Sequence, residues 1–520
     1  MKAVAKDRYW LNSLALLMGN LFIAAAVFVA TPELLEQLGA ERYGLFRIGM
    51  IAFVSYMASL QLGFGVAARR YFADAYHDHG PQEANRVLGQ SFLLFAGLAV
   101  LTMTLAAASA AWLPNWISLG PDKPLGDAPR LLAGFRWLLI AAGVWVACLL
   151  LRMPMVGVME ALGRFDCQQA VNASSRVLLY AGILAGFSIW GASLRLIAYT
   201  AIGVSLAEWL WARFLVKRVF AIYRPAFGRV DHELLFSMLK FSALGIVMSF
   251  STMLVYAFPE ILIGMMPNLG AKEVAVFGIA MLLTAQTRAI ITAFSASLFP
   301  AAAKHRSDGD LASLRDLLTA SIYRNLWLWG MVSIPLVVFS REFLSLWVGP
   351  EYGSSWPLVA ALSLDTFGAA VALGANYLLV AAGSIRWLAL SQLIASGAAL
   401  IVMSFMLEMT SLGLLGIALA VGSSQFIRGA VFVPWYASAQ FGSSYGTIFR
   451  PIFLRLLSFL ALGSGLSCAL RALWIPATWH SLLAELTIAS ITCFSAGAFL
   501  LFTREQRMAV LATIRRILQK

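Results

Sequence analysis

The chain has 520 residues, of which 61% are hydrophobic and 12% charged, and its formal net charge is +13. A water-soluble domain carries roughly 25% charged residues, so this composition excludes a soluble globular enzyme and points to a polytopic membrane protein. The basic surplus is spread over short loops between apolar runs, which argues against nucleic-acid binding, and the four scattered cysteines (Cys148, Cys167, Cys468, Cys493) suggest neither a disulfide framework nor a zinc site.

A hydrocarbon core about 30 Å thick takes roughly 20 apolar residues of helix. Runs of that size predict about fourteen spans, with cores near 9–30, 44–67, 88–113, 132–155, 168–190, 194–216, 241–266, 274–302, 324–347, 357–382, 386–407, 412–437, 449–470 and 481–502. The opening MKAVAKDRYW runs into the first span without a small-residue cleavage site, so that helix is expected to stay. Alternate loops collect the basic residues: Arg69, Arg70, Arg164, Arg213, Lys217, Lys304, Arg306 and Arg450 on one side, only a few such as Arg42, Lys123 and Arg130 on the other. Basic loops stay cytoplasmic, so both termini are expected inside.

The longest outer loop, around 114–130, is rich in Pro and Gly and too short for a catalytic domain. In the longest inner connection Val230, Leu234, Leu235, Met238 and Leu239 recur at helical spacing, so residues 221–240 are expected to form an amphipathic linker on the cytoplasmic membrane face. The basic tail 504–520 repeats the idea, with Met508, Leu511, Ile514 and Leu518 on one face. Basic residues near anionic lipid contribute about 1 kcal/mol each.

The chain also resembles itself at a shift near 231 residues: Leu38-Gly39-Ala40-Glu41 and its span answer to Leu269-Gly270-Ala271-Lys272 and its span. Both copies run in the same direction, as two six-helix halves related by an axis along the membrane normal would require, with a site expected near the midplane between them. The repeat makes the 44–67 and 274–302 spans equivalent, and each carries an embedded arginine, Arg47 and Arg288.

Arg288 interrupts the otherwise uncharged run from Val274 to Ala303. Arginine keeps its proton there, at a cost of ~2.5–3.5 kcal/mol on insertion scales. Two readings stand: an arginine that snorkels or bonds a neighbouring helix, or a cationic site in a transport lumen for an anionic cargo. His77-Asp78-His79 has metal-like spacing but lacks a third placed ligand, and no phosphate-cradling GxxxxGK[ST] loop occurs. No metal, cofactor or catalytic residue is therefore expected.

Three stretches carry a family resemblance. LGAERYGLFRIGMIAFVSYMASLQLGFGVAARRYFAD (38–74) resembles the second helix of bacterial polysaccharide flippases. SASLFPAAAKHRSDGDLASLRDLL (295–318) resembles their Phe-Pro motif and following cytoplasmic loop. LWVGPEYGSSWPLVAALSL (346–364) with AAGSIRWLALSQLIASG (381–397) is similar to their helix-ten region. These are the Wzx-type O-antigen and exopolysaccharide flippases of the multidrug/oligosaccharidyl-lipid/polysaccharide exporter superfamily.

The resemblance implies an all-α fold: six-helix bundles at 1–220 and 241–445, two additional transmembrane helices at 446–503, and the basic tail. It implies export of a polyprenyl-diphosphate-linked oligosaccharide across the bacterial inner membrane by alternating access, for surface polysaccharide biosynthesis (O-antigen, lipopolysaccharide or exopolysaccharide). A monomer is expected, with membrane lipids, a polysaccharide polymerase and glycosyltransferases as neighbours. A diphosphate needs cations and sugar hydroxyls need hydrogen bonds. The lumen candidates are accordingly Arg288, Arg47, Arg176, Arg428, Gln61, Gln286 and Thr287, with Asp365 as either a pairing partner or an ion-coupling carboxylate. Gln61 departs from the family, in which many relatives carry an acid at that position, and this puts carboxylate coupling there in doubt.

Two alternatives remain: a drug/cation antiporter of the same superfamily, which would want acidic cavity residues, and an integral-membrane polymerase or glycosyltransferase, which would want acids or histidines on a sizeable outer loop.

Overall fold

The computed structural model describes residues 2–121, 123–228, 230–296 and 298–501, and the tail 504–520 lies outside them. Among these residues the chain is helical throughout, apart from turns, loops and an isolated bridge between Ser118 and Pro124. The contacts divide it into two compact units, Met1–Gly278 and Ile279–Lys520.

The first unit holds α1 (Lys2–Leu38), α2 (Ala40–Phe46), α3 (Phe53–Asp78), α4 (Pro81–Trp112), α5 (Pro129–Ala161), α6 (Phe165–Trp190), α7 (Leu194–Val219), α8 (His232–Tyr256), α9 (Phe258–Met265) and the first turns of α10 (Ala271–Ala296), most of which falls in the second unit. Its core is the apolar seam where α3 to α7 meet, with Phe72, Leu88, Met155, Val158, Val171 and Val216. Both copies of the Leu-Gly-Ala repeat start a helix directly after the glycine. Gly39 sits at φ 77°, where any side chain strains the backbone. A Cβ on Gly270 would lie 2.6 Å from the Gly120 nitrogen, so only glycine lets these loops touch.

The second unit holds α11 (Leu298–Ser307), α12 (Leu311–Val338), α13 (Ser340–Trp347), α14 (Trp356–Ala381), α15 (Ile385–Met409), α16 (Leu414–Phe426), α17 (Val433–Gln440), α18 (Tyr445–Leu473) and α19 (Trp479–Leu500). Its core gathers Leu326, Trp329, Val371, Leu378, Val433 and Phe459.

Among the described residues eleven helices are long and apolar enough to cross a membrane, or thirteen if each of two bent pairs is one span. The bent pairs are 40–78, which turns by 47°, and 311–347, which turns by 70°. The protein is thus an all-helical multi-pass membrane protein. The sequence predicts fourteen spans; the remaining one is α7, 26 residues long, whose apolar run is diluted by Arg195, Glu208, Arg213, Lys217 and Arg218.

Two further expectations differ from what is observed. The apolar spacing at 230–240 forms no separate surface helix: it is the opening of α8, which runs unbroken from His232 to Tyr256 and buries Met238 completely. Nor does the compact division fall between 220 and 241, because α8 packs along α3 and so belongs to the first unit. Periodicity alone could not distinguish an amphipathic helix from the half-buried start of a span.

Candidate functional site: a charged cavity in the first unit

A cavity of about 460 Å³ opens inside the first unit among α1, α3, α5, α6 and α7. A bilayer-embedded interior normally excludes ionisable groups, yet this one is lined by Arg69, Arg152, Arg176, Glu160 and Glu208, with Gln61, Gln169 and Asn172 between them.

Two of the arginines are neutralised in place. Arg152 of α5 bonds Glu208 of α7 at 2.5 Å and Asn172 of α6 at 2.9 Å, with both charged side chains 7% exposed. Pro154, two residues on, removes a backbone donor within the same helix turn. Arg69 of α3 donates to Glu160 near the end of α5 at 3.0 Å and is more open, at 39%. Gln169 reaches back to Asn20 of α1 at 3.2 Å.

The third arginine differs. Arg176 of α6 lies with its guanidinium 5.2 Å from the ring centroid of the buried Trp145 and makes no ion pair among the described residues. It is half-buried and close enough to Arg152 to repel it. Three arginines face two glutamates, so the cavity carries one excess positive charge, centred on Arg176. A cation stacked on an indole face keeps its N–H edges free to donate, which suits it to an incoming anion.

The other residues predicted from sequence fall elsewhere. Arg47 opens a π-helical turn, Arg47–Ala52, between α2 and α3, and pairs with Glu260 of α9. It does not snorkel: it is 4% exposed and packed so closely on Gly278 that a Cβ there would meet the guanidinium. Arg288 pairs with Asp365 of α14 and keeps 28% of its side chain exposed. Arg428 lies half-buried in a second π-helical turn, Ile427–Phe432, and such turns occur often at functional positions. Thr287 is buried and Gln286 half-buried on α10.

Of the eight candidates, only Gln61 and Arg176 line this cavity. Sequence reasoning missed Arg152, Glu208, Glu160 and Glu260. The signal was available, since Arg152, Glu208 and Glu260 each interrupt a predicted span just as Arg288 does.

The fold is the one shared by lipid flippases and multidrug transporters. It superposes on the lipid II flippase MurJ in an inward closed conformation with a TM-score of 0.71, covering 94% of this chain and 98% of that one at 13% identity. It superposes on an inward-facing multidrug resistance MATE family transporter of the MOP superfamily with a TM-score of 0.64, covering 83% and 98% at 14% identity. In sequence the chain is 23% identical over 510 residues, 94% of each chain, to the uncharacterized membrane protein EpsK of Bacillus subtilis. No family model matches the chain.

Proposed function

We propose that this protein is a flippase that carries a polyprenyl-diphosphate-linked oligosaccharide from the cytoplasmic to the outer leaflet of the bacterial inner membrane, by alternating access, for surface polysaccharide biosynthesis. In this reading it has fourteen spans, counting α7, in two six-helix bundles with two further helices, and both termini are cytoplasmic. The observation that carries it is Arg176: a cation with no carboxylate partner among the described residues, in a polar cavity, within a fold that a lipid flippase shares.

The sign of that charge favours a phosphate-bearing cargo over the cations a drug antiporter exports, because both cavity carboxylates already serve arginines. Gln61, Gln169 and Asn172 supply the amides that sugar hydroxyls need. An anion leaving an inside-negative cell gains ~2.3 kcal/mol per charge per 100 mV if it crosses the whole field, so export can run without ATP. Arg288, Arg428, Gln286 and Thr287 remain candidate contacts along the cargo's path.

The test is Arg176→Ala in a strain lacking the native protein, with surface polysaccharide and protein abundance measured together. Polysaccharide is expected to fall at least tenfold at unchanged abundance, and Arg176→Lys to recover part of it. Full polysaccharide in the alanine variant would sink the assignment.

A further inference from the structure

The C-terminal helices carry a second charged cluster, far in sequence from the cavity residues. Arg471 of α18 donates to one oxygen of Glu342 on α13, from Nε at 3.0 Å and from Nη2 at 2.6 Å. The other oxygen, Glu342 Oε2, is buried without a hydrogen bond. Glu485 of α19 is 2% exposed, and both of its carboxyl oxygens are buried without a partner. No other acid among the described residues has both oxygens in that condition.

The surroundings are apolar. Glu485 lies one turn from Leu482 and one turn from Ala489, which pack on Phe339 at the junction of α12 and α13. Phe343, Leu346 and Leu470 complete that layer. Helices α12, α13 and α18 all pack on α19. The charged group they bring to Glu485 is Glu342, near enough to repel it and itself bonded to Arg471 of α18. Trp327 of α12 donates to the Phe494 carbonyl of α19 at 2.8 Å.

Glu342 thus holds the guanidinium, and Glu485 lies buried beside it with none. An ionised carboxylate without a hydrogen bond is expensive there, and a like charge beside it adds to the cost. The two unsatisfied groups are chemically complementary: a carboxylic acid supplies the O–H donor that Glu342 Oε2 lacks. We propose that Glu342, Arg471 and Glu485 form a proton-binding site in the C-terminal helices, with Glu485 carrying the proton and sharing it with Glu342. Loss of the proton places two negative charges against one positive charge in that layer and loosens α19 from α12 and α13. The site stands independently of the cargo assigned to the first unit.

The experiment is infrared spectroscopy of the full chain in lipid nanodiscs with isotope-labelled glutamate, at neutral pH. The wild type is expected to show a protonated-carboxyl C=O band that is lost in Glu485→Gln and displaced in Glu342→Gln, where its acceptor changes. Glu485→Gln imitates the neutral acid and is expected to accumulate and unfold as the wild type does. A wild-type spectrum holding only carboxylate bands, or a band that persists in Glu485→Gln, overturns the proposal. So does Glu485→Gln failing to accumulate, because that means the charged form is the one the fold needs. Thermal stabilisation by sodium in the wild type but not in Glu485→Gln would assign the site to a metal cation and equally overturn it.

Discussion

Replacing Glu260 by glutamine isolates what it costs to bury Arg47. The two side chains are 5% and 3% exposed, and Arg47 Nε already lacks a hydrogen-bond partner. Arginine cannot discharge itself, so Glu260→Gln leaves a desolvated cation. Removing one partner of a buried pair costs about 3–5 kcal/mol. A lone arginine at the centre of a span costs ~2.5–3.5 kcal/mol on insertion scales. The two routes converge on about 3–4 kcal/mol. Stability falls by about 2–4 °C in Tm per kcal/mol for units of this size, so a loss of about 6–16 °C is expected. Arg47→Met with Glu260→Met removes both charges at similar volume and is expected to fold about as stably as the wild type. The assay is thermal unfolding of the wild type, Glu260→Gln, the single variants Arg47→Met and Glu260→Met, and their double, purified in nanodiscs. A Glu260→Gln variant within about 1 kcal/mol of the wild type refutes the reasoning, as does a double variant less stable than either single one. A double variant that folds but exports no polysaccharide would return Arg47 to contact with the cargo.

The pair in the second unit is more open, so Arg288→Ala is expected to cost about 1–3 kcal/mol, and exchanging the charges at Arg288 and Asp365 to restore the accumulation lost in the single variants, read by quantitative immunoblot. Asp310 caps α12 by accepting from the Ser313 backbone N–H at 3.0 Å, and that bond with the Ser313 hydroxyl holds its carboxyl below the usual range. The cap's contribution is therefore complete above pH roughly 4 and lost as pH falls through the lowered folded value, and Asp310→Asn is expected to flatten that acid limb of a stability–pH profile. Gly44→Ala drives a Cβ to 1.7 Å from the Ala271 carbonyl oxygen, which is backbone and cannot swing away, so a loss of at least about 1–3 kcal/mol is expected in the same unfolding assay.

Much of the fold was legible from the chain itself. Apolar runs long enough to cross a bilayer must form helices, since no other open structure satisfies its backbone there. Leu38-Gly39-Ala40 and Leu269-Gly270-Ala271 stood out as a repeat, and in the structure each glycine precedes a helix, where positive φ or close backbone approach demands it. The 221–240 stretch was misleading because an amphipathic pattern followed by an apolar run looks the same whether the helix breaks between them or not; in fact α8 does not break.

The site was legible by halves. Arg47, Arg176 and Arg288 stood out because a permanent charge in an apolar run is conspicuous without any partner in view. Their fates were not visible. Arg47 finds Glu260 at a separation of 213 residues, Arg288 finds Asp365, and Arg176 finds the face of Trp145 and no acid among the described residues. Arg152 and Glu208 lie on different helices and become one neutral unit only when α5 and α7 pack together. By itself, then, the sequence determined that this is a helical membrane protein and which helices carry charge. Only the tertiary structure decided which of those charges cancel and which is left over. The reason is physical: an ion pair depends on a few ångströms of separation in space, and hydropathy along a chain holds no record of that distance.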